Sequence, residues 1–396
     1  MCVGAKSRQG VAEWREKFNL ADWASEIRAV EKEVRASQNA ADGVHLRKIL
    51  MWTRLLRVVG MIFAFFTPNP IAVVCISSAT FARWAMVGHH VGHGGYDKIE
   101  SQDSRFRRRA FALGSFLRRV EDWLDWMLPE AWDVEHNHLH HYQLGEIGDP
   151  DLVERNMQSL RQERTPMWVR YLTVGFFIFT WKWSYYSPNT LKHLFLYKKK
   201  LGKGSVFPKD DSPITLPDVF EFAIKGNMGP LIEVSRVMLP VLFLHLLALP
   251  LVFYCLGMQR IAWNLLINLV LADLFSNMHS FMVIVPNHTG HDVYRFDSEV
   301  EAKSDEFFLR AVIGSVNYAT GSDMNDYIYG WLNYQIEHHL WPDMSMSAYQ
   351  RAQPMVKQIC EKHGVPYVQE SCLLRVKKTV DIMVGKASMK NWERGD

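Results

Sequence analysis

Apolar residues gather along this chain in a few long runs, separated by segments dense in charge and tryptophan. Residues 51–67 and 70–88 form two such runs, joined at Thr67-Pro68-Asn69-Pro70. Each approaches the ~20 residues that cross a bilayer as a helix. Arg47, Lys48, Arg54 and Arg57 flank or enter the first run, and Arg105-Phe106-Arg107-Arg108-Arg109 follows the second. The cytosolic bias of basic residues therefore predicts a hairpin with both flanks in the cytosol and its turn outside. Runs at 236–257 and 261–286, joined by Gly257-Met258-Gln259-Arg260, predict a second hairpin. The run 167–186 contains Arg170, Lys182 and Tyr185-Tyr186, and is expected to lie along the interface. Upstream, Val11, Trp14, Phe18, Leu20, Trp23, Ile27, Val30 and Val34 recur at helical intervals, which predicts an amphipathic helix over 11–37. Such a helix serves either as the surface of a cap or as an interfacial membrane element.

The expected fold is thus an all-α integral membrane protein of about four spans in two hairpins, under a cytosol-facing helical cap. Residues 1–50 form the N-terminal cap region, 51–370 the membrane domain and 371–396 a C-terminal tail within a soluble helical stretch from 342. Hydrophobic residues make up 48% and aromatics 13% of the 396 residues, yet mean hydropathy is only −0.11. That balance fits a few spans carrying a large water-facing portion. The formal charge of +3 and basic clusters beside apolar runs mark a membrane's cytosolic side and argue against a nucleic-acid partner. Cys2, Cys75, Cys255, Cys360 and Cys372 are dispersed without a CxxC pair, so no disulfide framework is expected. The charged first fifty residues do not read as a signal or transit peptide.

Of the sixteen histidines, His89, His93, His136, His140, His141, His338 and His339 fall in three tight clusters. They are His89-His90-Val91-Gly92-His93, His136-Asn137-His138-Leu139-His140-His141 and Gln335-Ile336-Glu337-His338-His339. Imidazole near a bilayer is costly without a partner, and a shared metal is the simplest one. A metal takes about three or four protein ligands, so this many histidines implies two ions. Positions four apart on a helix share a face, so His89 with His93, and His136 with His140, bind one ion or bracket two. His141 then reaches sideways toward a second, and Gln335 takes the place of a first histidine in box three. Donor type alone leaves iron, copper, nickel and zinc open. His90 and His138 lie off the spacing and read as hydrogen-bonding support; His45, His193, His245 and His363 read as structural. Gly148-Asp149-Pro150-Asp151 reads as a capped turn behind box two.

The three boxes, above all Leu332-Asn333-Tyr334-Gln335-Ile336-Glu337-His338-His339-Leu340-Trp341-Pro342, resemble those of the membrane-bound fatty acid desaturases. Gln335 and the segment 357–367 resemble the front-end branch, and the likeness covers roughly 55–370. The resemblance implies a non-haem centre of two irons, molecular oxygen as co-substrate, two electrons per turnover, and a lipid-linked acyl chain or acyl-CoA that gains a double bond. It also implies a further ligand just after the last span. The front-end pattern selects His288; an alternative family pattern selects Asn287 and His291, and His279 is a third choice. Two features depart from the front-end group. The sequence carries no HPGG haem motif, so a separate donor, cytochrome b5 or a ferredoxin, is expected. Box one reads His89-His90-Val91-Gly92-His93 rather than the commoner HD-x-x-H. The endoplasmic reticulum is the expected membrane, with a plastid membrane as the alternative. The nearest competing function uses the same centre to hydroxylate, epoxidise or ketolate a lipid or carotenoid. A membrane metal transporter is a remote one, since the histidines keep fixed spacings at span ends.

Overall fold

The computed structural model describes residues 14, 18–99, 103–209 and 212–392. Of the expected 11–37 helix, residues 11–13 and 15–17 lie outside the described residues. The described helix α1, Leu20–Ser37, starts at Asn19, whose side chain accepts from the Ala21 and Asp22 N–H groups. Trp23, Ile27, Val30 and Val34 form its buried face, as the spacing predicts.

A capping box of Asn39 and Asp42 starts α2, Ala40–Ala64. The expected 51–67 span is therefore the second half of a longer helix. Among the described residues, three helices are long and apolar enough to cross a membrane, and α2 is not one of them. Arg47, Lys48, Arg54 and Arg57 dilute its apolar run. Met51, Leu55, Val58 and Ile62 nevertheless line one side of it, each 55–61% exposed. The three are α3 (Pro70–Gly92), α6 (Gly229–Cys255) and α7, whose apolar stretch Gln259–His288 ends in a 3-10 turn. Between α3 and α6 run α4, Met167–Trp181, and α5, Ser187–Lys200.

The hairpin turn is held by its sequence. Asn69 caps α3, Pro70 occupies the first helical position, and a Cβ at Gly60 would meet Ile76 at 2.7 Å, so α2 and α3 close tightly. Asn268 on α7 ties the corner: its Oδ1 accepts from the Asn69 N–H (3.0 Å) and its amide donates to the Ala64 carbonyl (3.2 Å).

α7 carries a buried polar face that hydropathy did not foretell. Asp273 accepts from the indoles of Trp126 (3.0 Å) and Trp183 (2.9 Å). Asn277 accepts through Oδ1 from the Lys182 N–H (3.0 Å) and through its carbonyl from the Trp181 indole (2.9 Å). That side chain enters the α4–α5 ladder where the π-turn Lys182–Tyr186 opens. Lys182 is fully buried and pairs with Asp125 at 2.7 Å, which offsets the desolvation of both charges.

The third box lies on α8, Gln335–Leu340, followed by α9, Met346–His363, on which α1 packs, and α10, Cys372–Met383. A small sheet departs from an all-α fold: β1, Tyr294–Phe296, pairs in parallel with β2, Lys390–Trp392. The C-terminal stretch is not a free tail. Arg375 is fully buried, donating to the Thr289 carbonyl (2.7 Å) and to both Asp292 oxygens (2.6 and 2.8 Å).

Candidate metal centre

Box one follows a π-turn, Ala82–Gly88, so His89 and His93 emerge at the inner end of α3. Box two is not one α-helix. His136 sits in a π-turn, Asp133–Asn137, and His140 and His141 in a 3-10 turn, His140–Tyr142, which corrects the shared helical face expected of His136 and His140. The Asn137 amide explains the break: it donates to Asp133 (2.6 Å) and to the Gly92 carbonyl (3.1 Å), tying box two to box one instead of continuing a helix. Box three keeps its expected helical form in α8.

The boxes converge in two groups. His89, His93, His136, His141 and His338 place one nitrogen each within 4.8 Å of one another, and His140, His288 and His339 do the same. In the first group the Nε2 atoms of His89 and His338 lie 2.9 Å apart, those of His338 and His141 3.1 Å, and those of His141 and His136 3.3 Å. In the second, His339 and His288 meet at 3.1 Å. His136 and His140 fall in different groups, the bracketing alternative, while His141 stays with His136 rather than reaching toward the second group, and consecutive His338 and His339 separate. His136, His140 and Asp151 form a third, overlapping set with a carboxylate.

Three of the rings are held from outside through Nδ1, whereas the Nδ1 atoms of His136, His141 and His339 are buried without a hydrogen-bond partner. His140 Nδ1 lies 2.9 Å from Asp149, His288 Nδ1 3.3 Å from the Gly314 carbonyl, and His338 Nδ1 3.3 Å from the Tyr349 hydroxyl. A proton kept on Nδ1 leaves the Nε2 lone pairs facing one another, an arrangement that repels unless a cation sits between. Separations near 3 Å are what adjacent ligands of a metal with bonds of about 2.1 Å require. His93 Nε2 is buried without a partner among these rings. Burial also pushes His136, His141, His338 and His339 well below the usual imidazole range, toward the neutral ligating form. The cluster is compatible with a metal site.

The remaining histidines lie elsewhere. His90 bonds the Met86 carbonyl (2.7 Å) and His279 the Ile328 carbonyl (2.7 Å), the latter stacked on Phe81. His138 is about half exposed beside Asp133 and Tyr197. His291 is exposed. Asn287 donates to the Leu332 carbonyl (3.0 Å) and to Gln335 Oε1 (3.1 Å), and Gln335 Nε2 approaches His288 Nε2 at 2.9 Å, so both brace the second group.

Several neighbours escaped sequence reasoning. Trp132 stacks on His136, with ring centroids 4.8 Å apart. It stands four residues before that histidine, the one signal for it. Glu135 is buried, and burial together with the charges of Asp151 and Asp149 raises its carboxyl well above the ordinary range. Burial pushes Glu337 up to about 7. A Cβ at Gly92 would meet the Trp132 ring at 2.5 Å. Gly92→Ala is therefore expected to cost about 1–3 kcal/mol by overpacking. A thermal melt in detergent checks this, and an unshifted transition would contradict the tight contact.

A cavity of about 380 Å³ opens beside His89, His136, His140 and His288. Trp84, Phe177, Trp181 and Tyr186 give it a largely apolar wall, and Asp151 and Asn156 are among its few polar groups. Buried histidines gathered where long apolar helices end, next to an apolar cavity, define a mostly helical protein with helices suited to a membrane and a cluster compatible with a metal site.

The comparisons narrow this class. Residues 67–371 match the family model described as "Fatty acid desaturase". The chain is 22% identical over 377 residues to an NADPH-dependent stearoyl-CoA 9-desaturase of Mycobacterium tuberculosis, covering 91% of this chain and 78% of that protein. Shorter stretches are closer in sequence. One of 105 residues is 35% identical to an acyl-lipid (9-3)-desaturase of Physcomitrium patens, covering 26% of this chain and 18% of the relative. Another of 85 residues is 33% identical to a Delta(8)-fatty-acid desaturase of Helianthus annuus, covering 22% and 18%. The chain belongs to the fatty acid desaturase family, and it is an enzyme of that kind.

Proposed function

We propose that this enzyme introduces a double bond into the acyl chain of a membrane lipid or acyl-CoA, using two irons, molecular oxygen and electrons from a separate donor. The observation that carries the proposal is the pair of imidazole groups facing one apolar cavity. His89, His93, His136, His141 and His338 would hold one iron, and His140, His288 and His339 the other. His90, His138, His279, Asn287, His291 and Gln335 stand outside both sets in this reading. When bound, an iron pair supplies oxygen activation and removal of hydrogen from an unactivated methylene. One oxygen molecule, two electrons and two protons together with the two hydrogens of the –CH2–CH2– unit yield the double bond and two waters.

The chain's own part is positional. Trp84, Phe177, Trp181 and Tyr186 exclude water and keep the acyl chain beside the histidines, so that one carbon pair is presented. Asp149, the Gly314 carbonyl and Tyr349 fix the rings of His140, His288 and His338. The front-end character rests on the Gln335-Ile336-Glu337-His338-His339 box, and the donor in this reading is cytochrome b5 or a ferredoxin. We read four spans, counting the 51–64 half of α2 for its exposed apolar stripe, with α4 at the interface, where Trp168, Leu172 and Phe176 are exposed. The membrane domain is 51–370, between 1–50 and 371–396, in the endoplasmic reticulum or, alternatively, a plastid.

Expression in yeast with labelled fatty acids is expected to give a labelled product two hydrogens lighter, with the new double bond located by mass spectrometry. A product one oxygen heavier instead would transfer the assignment to hydroxylation or epoxidation.

A further inference from the structure

We propose that Met383, at the end of α10, determines which acyl chain lengths the cavity accepts. The proposal rests on the desaturase reading and names its specificity determinant. Leu160, Thr173 and Met383 line the same cavity as His89, His136, His140 and His288. Met383 is fully buried and forms part of that wall.

Its backbone is clamped on both sides. The Ile382 carbonyl accepts from Arg161, and the Val384 carbonyl accepts from Arg170 Nη1 at 2.8 Å. The same two guanidinium groups also bond the 154–165 segment and the residues after Met383. Arg170 donates to the carbonyls of Thr165 (2.9 Å) and Gln162 (2.6 Å), within the loop that supplies Leu160. Arg161 also donates to the Ala387 carbonyl (3.2 Å) and to Glu154 (2.9 Å), whose other oxygen accepts from the Met389 N–H (3.0 Å). Charge-assisted bonds to a largely buried backbone hold it to one geometry. The cavity is therefore bounded here by a side chain on a fixed mount, not by a mobile terminus. Side-chain size at 383 then sets how much chain fits between this wall and the histidines. The family match ends at residue 371, so Met383, unlike Leu160 and Thr173, lies beyond the matched region. A change there can retune chain length without touching the imidazole groups.

The test compares wild type, Met383→Ala, Met383→Leu and Met383→Phe in yeast fed an equimolar mixture of even-numbered fatty acids, saturated and monounsaturated. The readout is the ratio of longer to shorter desaturated products within each culture, which does not depend on how much enzyme folds. Met383→Ala is expected to raise that ratio about tenfold or more, and Met383→Phe to lower it comparably, the discrimination a methylene-sized change in an apolar pocket gives. Met383→Leu, close in volume, keeps the test readable if the larger changes unfold, with a smaller shift in the direction of alanine. Met346→Ala removes an equally buried methionine that does not line the cavity, and should lower total product at an unchanged ratio. Product from wild type with the same ratio in every Met383 variant overturns the proposal alone. No desaturated product from wild type overturns the desaturase reading, and this proposal with it.

Discussion

Replacing His338 with alanine is expected to lower product by more than about a hundredfold, beyond the range that loss of an outer supporting partner causes. His338 Nε2 is the node of the five-membered group, 2.9 Å from His89 and 3.1 Å from His141. Without it, two neighbouring nitrogens lose the donor that completes their side of the site, and iron content should fall with activity. The fold should survive. Tyr349, which faces His338 Nδ1, also donates to the carbonyls of Trp341 (3.1 Å) and Pro342 (2.9 Å) and keeps those bonds. Two controls separate ligand loss from general damage. His279→Ala removes a ring bonded to the Ile328 carbonyl, and His291→Ala removes an exposed one. Both should retain iron and most of the product. Full turnover by the His338 variant would falsify its assignment as a ligand.

How much of this was legible in the sequence differs by level. The residues that converge were readable because box spacings and the Asn287-His288 pair are local patterns. Their partition into groups of five and three was not. His140 and His141 are adjacent, as are His338 and His339, and which way each ring points depends on π- and 3-10 turns. Those turns answer to distant partners. The π-turn at Lys182 goes with the Asn277 side chain, which comes from another helix, and no window around Lys182 contains it. The runs 70–88, 236–257 and 261–286 surfaced as long helices because hydropathy is additive along a segment. The run 51–67 did not stand alone, because the capping box at Asn39 starts the helix well before the apolar run. The C-terminal stretch, read as a helical tail, forms the helix Cys372–Met383, but its buried face was not legible. Cys372, Arg375, Thr379 and Ile382 share a buried face, but an arginine and a threonine on it disguise the periodicity. Arg375 is there for the Thr289 carbonyl, next to His288, and for Asp292. Burial of a charge for its partners leaves no hydrophobic trace.

Asp149→Ala is expected to lower product about 10–100-fold, the usual cost of removing the group that orients a ligating histidine. The turn behind box two was readable as a brace, and the distances say what it braces. Asp149 Oδ1 lies 2.9 Å from His140 Nδ1 and accepts from the Asp151 N–H (2.9 Å), while Oδ2 accepts from the Gly145 N–H (2.8 Å). Burial alone would raise this carboxyl, but His140 and the two backbone donors outweigh it and hold the group below its ordinary value, as the acceptor they need. Alanine removes all three acceptor contacts. Asparagine keeps one oxygen but turns an NH2 toward a donor, so Asp149→Asn should fall between wild type and alanine. The loss should also be uneven. His140 belongs to the group of three imidazoles, which can spare a ligand less readily than the group of five. Purified Asp149→Ala should therefore drop from two irons per chain toward one, with its thermal transition shifted by less than its activity. Equal depletion of both irons would mean that the two groups do not act as separate sites, and the partition drawn from the nitrogen distances would have to be abandoned.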